Sequence, residues 1–443
     1  MTNRLFYWSL TSALAGFLFG FDTVVISGAE QTIEAVWQLD TVTHGLAMGA
    51  ALWGTVLGSL LGGWPTDKFG RRKTLIAVGA LYFISALWSG LATGVYTFML
   101  ARFIGGIGVG VATVAAPLFI SEISPPERRG ALAAMFQFNI VFGIMIAYVS
   151  NALLSGIGPT AWRWMLGIEA LPAIIYTLMC FGLPESPRWL IAKRNDRDAA
   201  LHVLRKATPE RSSLEIEALA DEIVAASNVE KQSIAGFWSK SMRVPILLAF
   251  LVAFFNQMSG VNAIFYYAPR IFELAGMSAE RALQVPIGIG VVNIIFTFLG
   301  MRLIDHLGRK TLLLVGSFGY IASLGGCAWA FFAQQYVVVG VCVLLFAAAH
   351  AVGQGAVIWV LISEIFPNRF RAMGQALGSF THWIFAAIIA TSFPPISAAV
   401  DMGYVFLFFC GMMVLQLIWV ATMVPETKGV PLEEMERKLG VTP

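Results

Sequence analysis

The chain has 443 residues, 58% of them hydrophobic and 12% charged, with a mean hydropathy of +0.75 and a formal charge of +3 at pH 7. Soluble domains carry about 25% charged residues, so this composition excludes a soluble globular domain and points to a polytopic membrane protein. With neither a basic arm nor an acidic tail, the charge offers no footing for a nucleic-acid partner.

The first apolar run, Leu5 to Ala29, is about long enough to cross a bilayer and holds one ionisable residue, Asp22, within GFLFGFDTVVISG. A carboxylate at membrane depth costs on the order of 3 kcal/mol or more, so it faces a water-filled cavity or a partner. Two readings fit: an ion or proton route, or an ion pair locking two helices. The run lacks a small-residue cleavage site and is expected to stay as a helix. Gly16, Gly20, Thr23 and Ser27 form a stripe suited to close helix packing, and Asp22 points about a third of a turn away from it.

Further apolar runs fall near 44–65, 74–93, 96–121, 130–154 and 163–183, then near 243–268, 282–304, 311–333, 336–362, 372–393 and 402–424. They predict an all-α membrane protein of twelve transmembrane helices in two six-helix sets. The domains expected are a bundle over 1–184, a helical segment over 185–240, a second bundle over 241–425 and a tail over 426–443. In the middle segment, RNDRDAALHVLRKA and SSLEIEALADEIVAA space their apolar residues as amphipathic helices do. Lys and Arg gather in KFGRRK, ERR, the 188–243 segment, GRK and NRFR, whereas Glu30, Glu34, Asp40 and Asp401 lie on the other side. That bias places both termini and the middle segment in the cytoplasm.

Cys180, Cys327, Cys342 and Cys410 sit inside apolar runs at spacings that fit no zinc or redox motif. No metal-ligand cluster, phosphate-binding loop or nucleophile–base pair stands out, so the sequence indicates no catalytic residue, metal or cofactor.

Internal repetition orders the whole chain. TDKFGRRKTL recurs as IDHLGRKTLL, placing Asp305 238 residues after Asp67; FISEISPPERR recurs as LISEIFPNRFR, placing Glu364 242 after Glu122; LPESP recurs as VPETK, placing Glu426 241 after Glu185. Three matches at nearly one offset mean two equivalent halves, a pattern of secondary transporters whose site lies at midplane. In an unbroken helix Gln257 and Asn262 would lie about 140° apart, so they can face one ligand only if the backbone is disturbed near Ser259 and Gly260.

At GWPTDKFGRR, Arg102 with GGIGVG, PLFISEISPPERRG, PESPRWL, NQMSGVNAIFYYAP, DHLGRK, WVLISEIFPNRFR and PETKGVPLEE, the chain resembles the sugar porter family of the major facilitator superfamily. The resemblance covers nearly its whole length. It implies alternating access, a monosaccharide as cargo (a hexose or a pentose), a proton as co-substrate, and a monomer among the lipids of the cytoplasmic (inner) membrane. Asp22 resembles the carboxylate that separates proton-coupled members from facilitators, with Arg102 and Glu169 as its matching partners. A uniporter in which Asp22 only pairs Arg102 remains the alternative; a transporter-like sensor would need a long signalling tail.

The resemblance also assigns sugar contact to Gln137, Asn256, Gln257, Asn262, Asn293 and Trp359, with His382 and Trp383 beside them. Amides suit sugars because each offers donors and acceptors to hydroxyls, and an indole offers an apolar face. Three positions depart from the pattern: Asn256 where Gln is usual, His382 where an amide is usual, and Ala356 in place of a proline, which removes an expected kink. His350 is read as structural. Asp67, Arg71, Arg72, Glu122, Arg129, Glu185, Arg188, Asp305, Arg309, Glu364, Arg371 and Glu426 resemble the family's inner gating network of salt bridges.

Overall fold

A computed structural model describes residues 3–125, 128–227, 234–367 and 369–441, whose regular structure is helical throughout. The first helices are α1 Asn3–Val25, α2 Glu30–Trp37, α3 Thr41–Leu61, α4 Gly63–Phe69, α5 Arg71–Leu91, α6 Val95–Ile123, α7 Arg129–Leu154, α8 Ala161–Gly167 and α9 Ala170–Cys180. The middle segment holds α10 Pro187–Arg194, α11 Arg197–Ala207, α12 Ser213–Ser227 and α13 Ile234–Phe237. There follow α14 Arg243–Met258, α15 Val261–Tyr266, α16 Ala268–Leu274, α17 Ala279–Leu307, α18 Arg309–Phe332, α19 Tyr336–Val352, α20 Gln354–Ile365, α21 Arg371–Ala399, α22 Met402–Met423 and α23 Leu432–Lys438. Twelve helical stretches among the described residues are long and apolar enough to cross a membrane, one for each apolar run.

The chain groups into two compact units. The first takes the described parts of Met1–Thr23, Trp53–Ile144 and Arg163–Lys231. Here α1 runs tight against α7, because a side chain on Gly20 would come within 1.9 Å of the Ile140 carbonyl oxygen. Along its length α5 packs on both α6 and α9, and the three meet in a core of Leu75, Val78, Ala112, Phe119, Ala173 and Tyr176. The sixth span is broken between α8 and α9. Pro172 lacks the N–H that would bond back to Ile168, and Leu171 closes the turn instead with an N–H bond of 3.1 Å to the Ile168 carbonyl. The amphipathic helices α11 and α12 bury Ala200, Leu201 and Leu204 against Ile216, Ala220 and Ile223.

The second unit takes the described parts of Val24–Leu52, Met145–Trp162 and Gln232–Pro443. Its seventh span is interrupted as the angle argument required: α14 stops at Met258 and Gly260 adopts φ +81° before α15 begins. Only glycine suits this position, since a side chain would also overlap the Phe409 ring. The tenth span is also interrupted, which corrects the expectation drawn from Ala356. The break falls three residues earlier, at Gly353 (φ −86°, ψ −101°), where the backbone presses on Gly316 of α18 too closely for any side chain. In both units large apolar side chains such as Leu60, Leu178, Phe318 and Phe408 point outward, as lipid-facing surfaces require.

Candidate functional site

In the first unit the interior carries charge. Arg102 of α6 donates from Nη1 to Asp22 Oδ1 at 2.5 Å and from Nη2 to the Asp22 carbonyl at 3.0 Å, and both side chains are buried. The third sequence-predicted member, Glu169, is 1% exposed and sits at the break between α8 and α9, close enough to Asp22 and Arg102 to feel both charges. Two acids and one arginine thus meet in one buried interior. Removing one partner of such a pair costs about 3–5 kcal/mol.

Around the Gly260 turn the interior of the second unit is polar but carries no acid or arginine among the described residues. The turn at Gly260 brings Asn262 Nδ2 to 2.5 Å from Gln257 Oε1. Gln257 Nε2 donates to Asn256 Oδ1 at 2.9 Å and approaches the two ring nitrogens of His382 at 3.1 and 3.2 Å. The half-buried Trp359 lies 5.4 Å from the His382 ring. Asn256, Gln257, Asn262, His382 and Trp359 therefore form one cluster. Trp383 touches His382 at 4.9 Å, but adjacent helix residues diverge by about 100°, and its side chain is buried. Asn293 is buried on α17 with a long 3.5 Å contact from the Thr297 hydroxyl, and Gln137 is half-buried on α7 in the first unit. His350 takes the structural part read for it, bonded at 2.6 Å to Tyr320.

The repeated motifs build two nearly identical clusters at helix ends. In the first unit Arg71 forks onto Glu122 at 2.9 Å through both Nε and Nη2 and reaches Asp67 at 3.2 Å. Glu185 Oε1 meanwhile accepts the backbone N–H groups of Arg71 and Arg72 at the α5 N-terminus and that of its neighbour Ser186. In the second unit Arg309 forks onto Glu364 at 3.0 and 2.8 Å and reaches Asp305 at 3.3 Å, while Glu426 caps α18. A carboxylate at a helix N-terminus satisfies orphan donors and meets the positive end of the helix dipole. Gly70 and Gly308 (φ +93° and +90°) are required because the capping carboxylate occupies the place of a Cβ.

Arg72 joins the first cluster through its backbone N–H alone, and the described side chains of Arg72, Arg188 and Arg371 make no bond to the carboxylates of either cluster. Arg72 turns its guanidinium to the Phe181 carbonyl, Arg188 is exposed, and Arg371 Nε is buried without a hydrogen-bond partner among the described residues. The Arg129 side chain lies outside the described residues.

Residues 8–439 match the family described as "Sugar (and other) transporter". The arabinose-proton symporter of Bacillus subtilis is 34% identical over 97% of this chain and 94% of its own length. The galactose-proton symporter of Escherichia coli is 35% identical over 98% and 94%. The chain is a sugar porter of the major facilitator superfamily. Its fold superposes with a TM-score of 0.86 on the xylose transporter XylE from E. coli in a partially occluded inward open conformation, at 31% identity over 97% of this chain and 100% of that one.

Sequence reasoning missed two features of this porter. Gln375 on α21 donates from Nε2 to the Trp359 carbonyl at 2.9 Å and so holds the tryptophan's backbone. It lies seven residues before His382, on the same helix face, and that spacing was the available signal. Arg270 of α16 forks onto Glu30 at 2.8 and 3.0 Å and also bonds Glu34, while His44 Nε2 lies 3.0 Å from Glu30. Glu30, Glu34 and His44 have ligating atoms close enough to share a metal ion, but Arg270 engages both carboxylates.

Proposed function

We propose that this sugar porter carries a monosaccharide, a hexose or a pentose, inward together with a proton by alternating access. The observation that carries the reading is the buried Asp22–Arg102 pair with Glu169 beside it. A proton arriving on Asp22 cancels its charge and releases Arg102; its departure restores the pair. Each exchange biases two discrete helix arrangements. One proton moving inward contributes about 2.3 kcal/mol per 100 mV, which at one proton per sugar supports about 40-fold accumulation.

Sugar recognition is assigned to Gln137, Asn256, Gln257, Asn262, Asn293, Trp359, His382 and Trp383, with the amides engaging hydroxyls and Trp359 lying under the ring's C–H face. The clusters around Arg71 and Arg309 act as latches whose ion pairs bias the conformational equilibrium as networks rather than as single bonds. The arrangement implied is a monomer in the cytoplasmic membrane with both termini inside.

A uniporter is the competing reading, because a pair as close as Arg102–Asp22 also suits a permanent lock. Proteoliposomes loaded at high internal pH separate the two. Uphill uptake that collapses with a protonophore supports symport; counterflow without any uphill uptake supports the uniporter and removes the coupling assignment.

A further inference from the structure

Beside the Asp22–Arg102–Glu169 group runs a line of hydroxyls with no assigned work. Tyr82, Ser85 and Ser89 occupy one stripe of α5 at helical spacing. All three side chains are 1% exposed or less, and none of their hydroxyls has a hydrogen-bond partner among the described residues. Glu169 Oε1 is buried and partnerless in the same way.

Packing places these atoms along one seam. Gly79 of α5 faces Tyr176 and Thr177 of α9, and Gly90 faces the Arg163 carbonyl and Gly167, so Glu169 lies opposite the stretch of α5 that bears the stripe. On the other side Ser85 Oγ rests against Gly105 of α6, one turn beyond Arg102. A buried polar atom left unpaired costs about 1–3 kcal/mol, and native interiors leave few so. Four in one seam, next to a buried ion pair, mark a place built to hold water, which takes two to four polar partners.

We propose that the hydroxyls of Tyr82, Ser85 and Ser89, with Glu169 Oε1, hold a short file of water through which the proton reaches and leaves the Asp22–Arg102–Glu169 group. A hydroxyl both donates and accepts, so each transfer breaks one O–H bond and makes another on the next oxygen, with no co-reactant. The groups facing the file are Asp22 from α1, Tyr82 from α5, Arg102 from α6, Glu169 from the α8–α9 break and Tyr176 from α9. This rests on the reading of Asp22 as the coupling carboxylate.

The test uses the full chain in proteoliposomes with Tyr82→Phe, Ser85→Ala and the two combined. Gradient-driven uptake in the combined variant falls about tenfold or more, the equivalent of at least about 1.4 kcal/mol on the barrier, and slows further in D2O than wild type does. The pH profile of uptake shifts, while sugar affinity by tryptophan quenching stays within about twofold, since the sugar-binding amides are untouched. Both substitutions keep the side-chain shape, and either single variant carries the test should the combination misfold. Uptake, pH profile and isotope effect all equal to wild type overturn the proposal, as does a rise in melting temperature, which means that the hydroxyls held nothing. Asp22→Asn in the same vesicles separates the two claims. If it still accumulates sugar, the coupling reading fails; if it does not and the hydroxyl variants behave as wild type, only the water file fails.

Discussion

The buried polar clusters around Asp22 and around Gly260 differ in kind, although the helix ends of the two units agree. Arg71 with Glu122 and Arg309 with Glu364 repeat one geometry to within about 0.1 Å, down to the carboxylate cap and the glycine beneath it. The repeat offset of 238 to 242 carries Asp22 onto residues 260–264, the turn that holds Gly260 and Asn262. Where the first half has a charged acid bound to arginine, the second has a broken helix and amides. A duplicated scaffold has kept its helix-end clusters and diverged in its buried polar residues. On the function proposed, one cluster would change charge when a proton arrives, while the other would offer donors and acceptors to a neutral sugar without the far larger cost of desolvating ions.

Making the first interior resemble the second is the strongest way to break this division. Asp22→Asn leaves an amide that cannot titrate, and accumulation falls from about 40-fold at 100 mV to none, while exchange of labelled sugar across the membrane continues. Gln257→Ala attacks the other interior. It removes the residue that ties Asn256, Asn262 and His382 together, and sugar affinity measured by fluorescence quenching falls about tenfold to a hundredfold, with Asp22-dependent proton binding intact. Trp359→Ala costs about 0.5–1.5 kcal/mol of sugar binding, roughly threefold to tenfold, and an unchanged affinity removes it from the site.

The smallest effect probes a place where the two matching clusters diverge. Burial pushes the Glu185 carboxyl above its ordinary range against the backbone N–H groups of Ser186, Arg72 and Arg71. At Glu426 burial is outweighed by four such donors, from Lys428, Arg309, Lys310 and Thr427, and the carboxyl is held below its ordinary range. The signs of the linkage are therefore opposite. Glu426 contributes stability above the unfolded carboxylate range that is lost as pH falls, so Glu426→Gln lowers the melting temperature at pH 7 and the deficit shrinks toward pH 4. The stability linked to Glu185 is present in acid and lost as pH rises, so Glu185→Gln compares best with wild type at pH 7 and worst near pH 4. Parallel slopes in the two variants contradict this assignment.

What was legible in the sequence had a periodic or local cause. Twelve spans follow from hydropathy, the break at Gly260 from the angle between Gln257 and Asn262, and the helix-end clusters from the repeat. What escaped depends on contacts remote in sequence. Gly353 looks like any small residue in AHAVGQGAV, and only its approach to Gly316 shows why the tenth span breaks there instead of at Ala356. Arg270 meets Glu30 and Glu34 across 240 and 236 residues with no motif to join them. A motif fixes a position along the chain but not where a long side chain ends: the Arg72 guanidinium turns to the Phe181 carbonyl and Arg188 is exposed.

The central claim is that a proton crosses with the sugar, and it is read most directly with a pH electrode. Vesicles containing the protein, lightly buffered and without an imposed gradient, receive a pulse of the transported sugar. The account predicts immediate alkalinisation outside, in step with sugar entry and abolished by Asp22→Asn. Sugar entry at the full rate with no movement of external pH would contradict it.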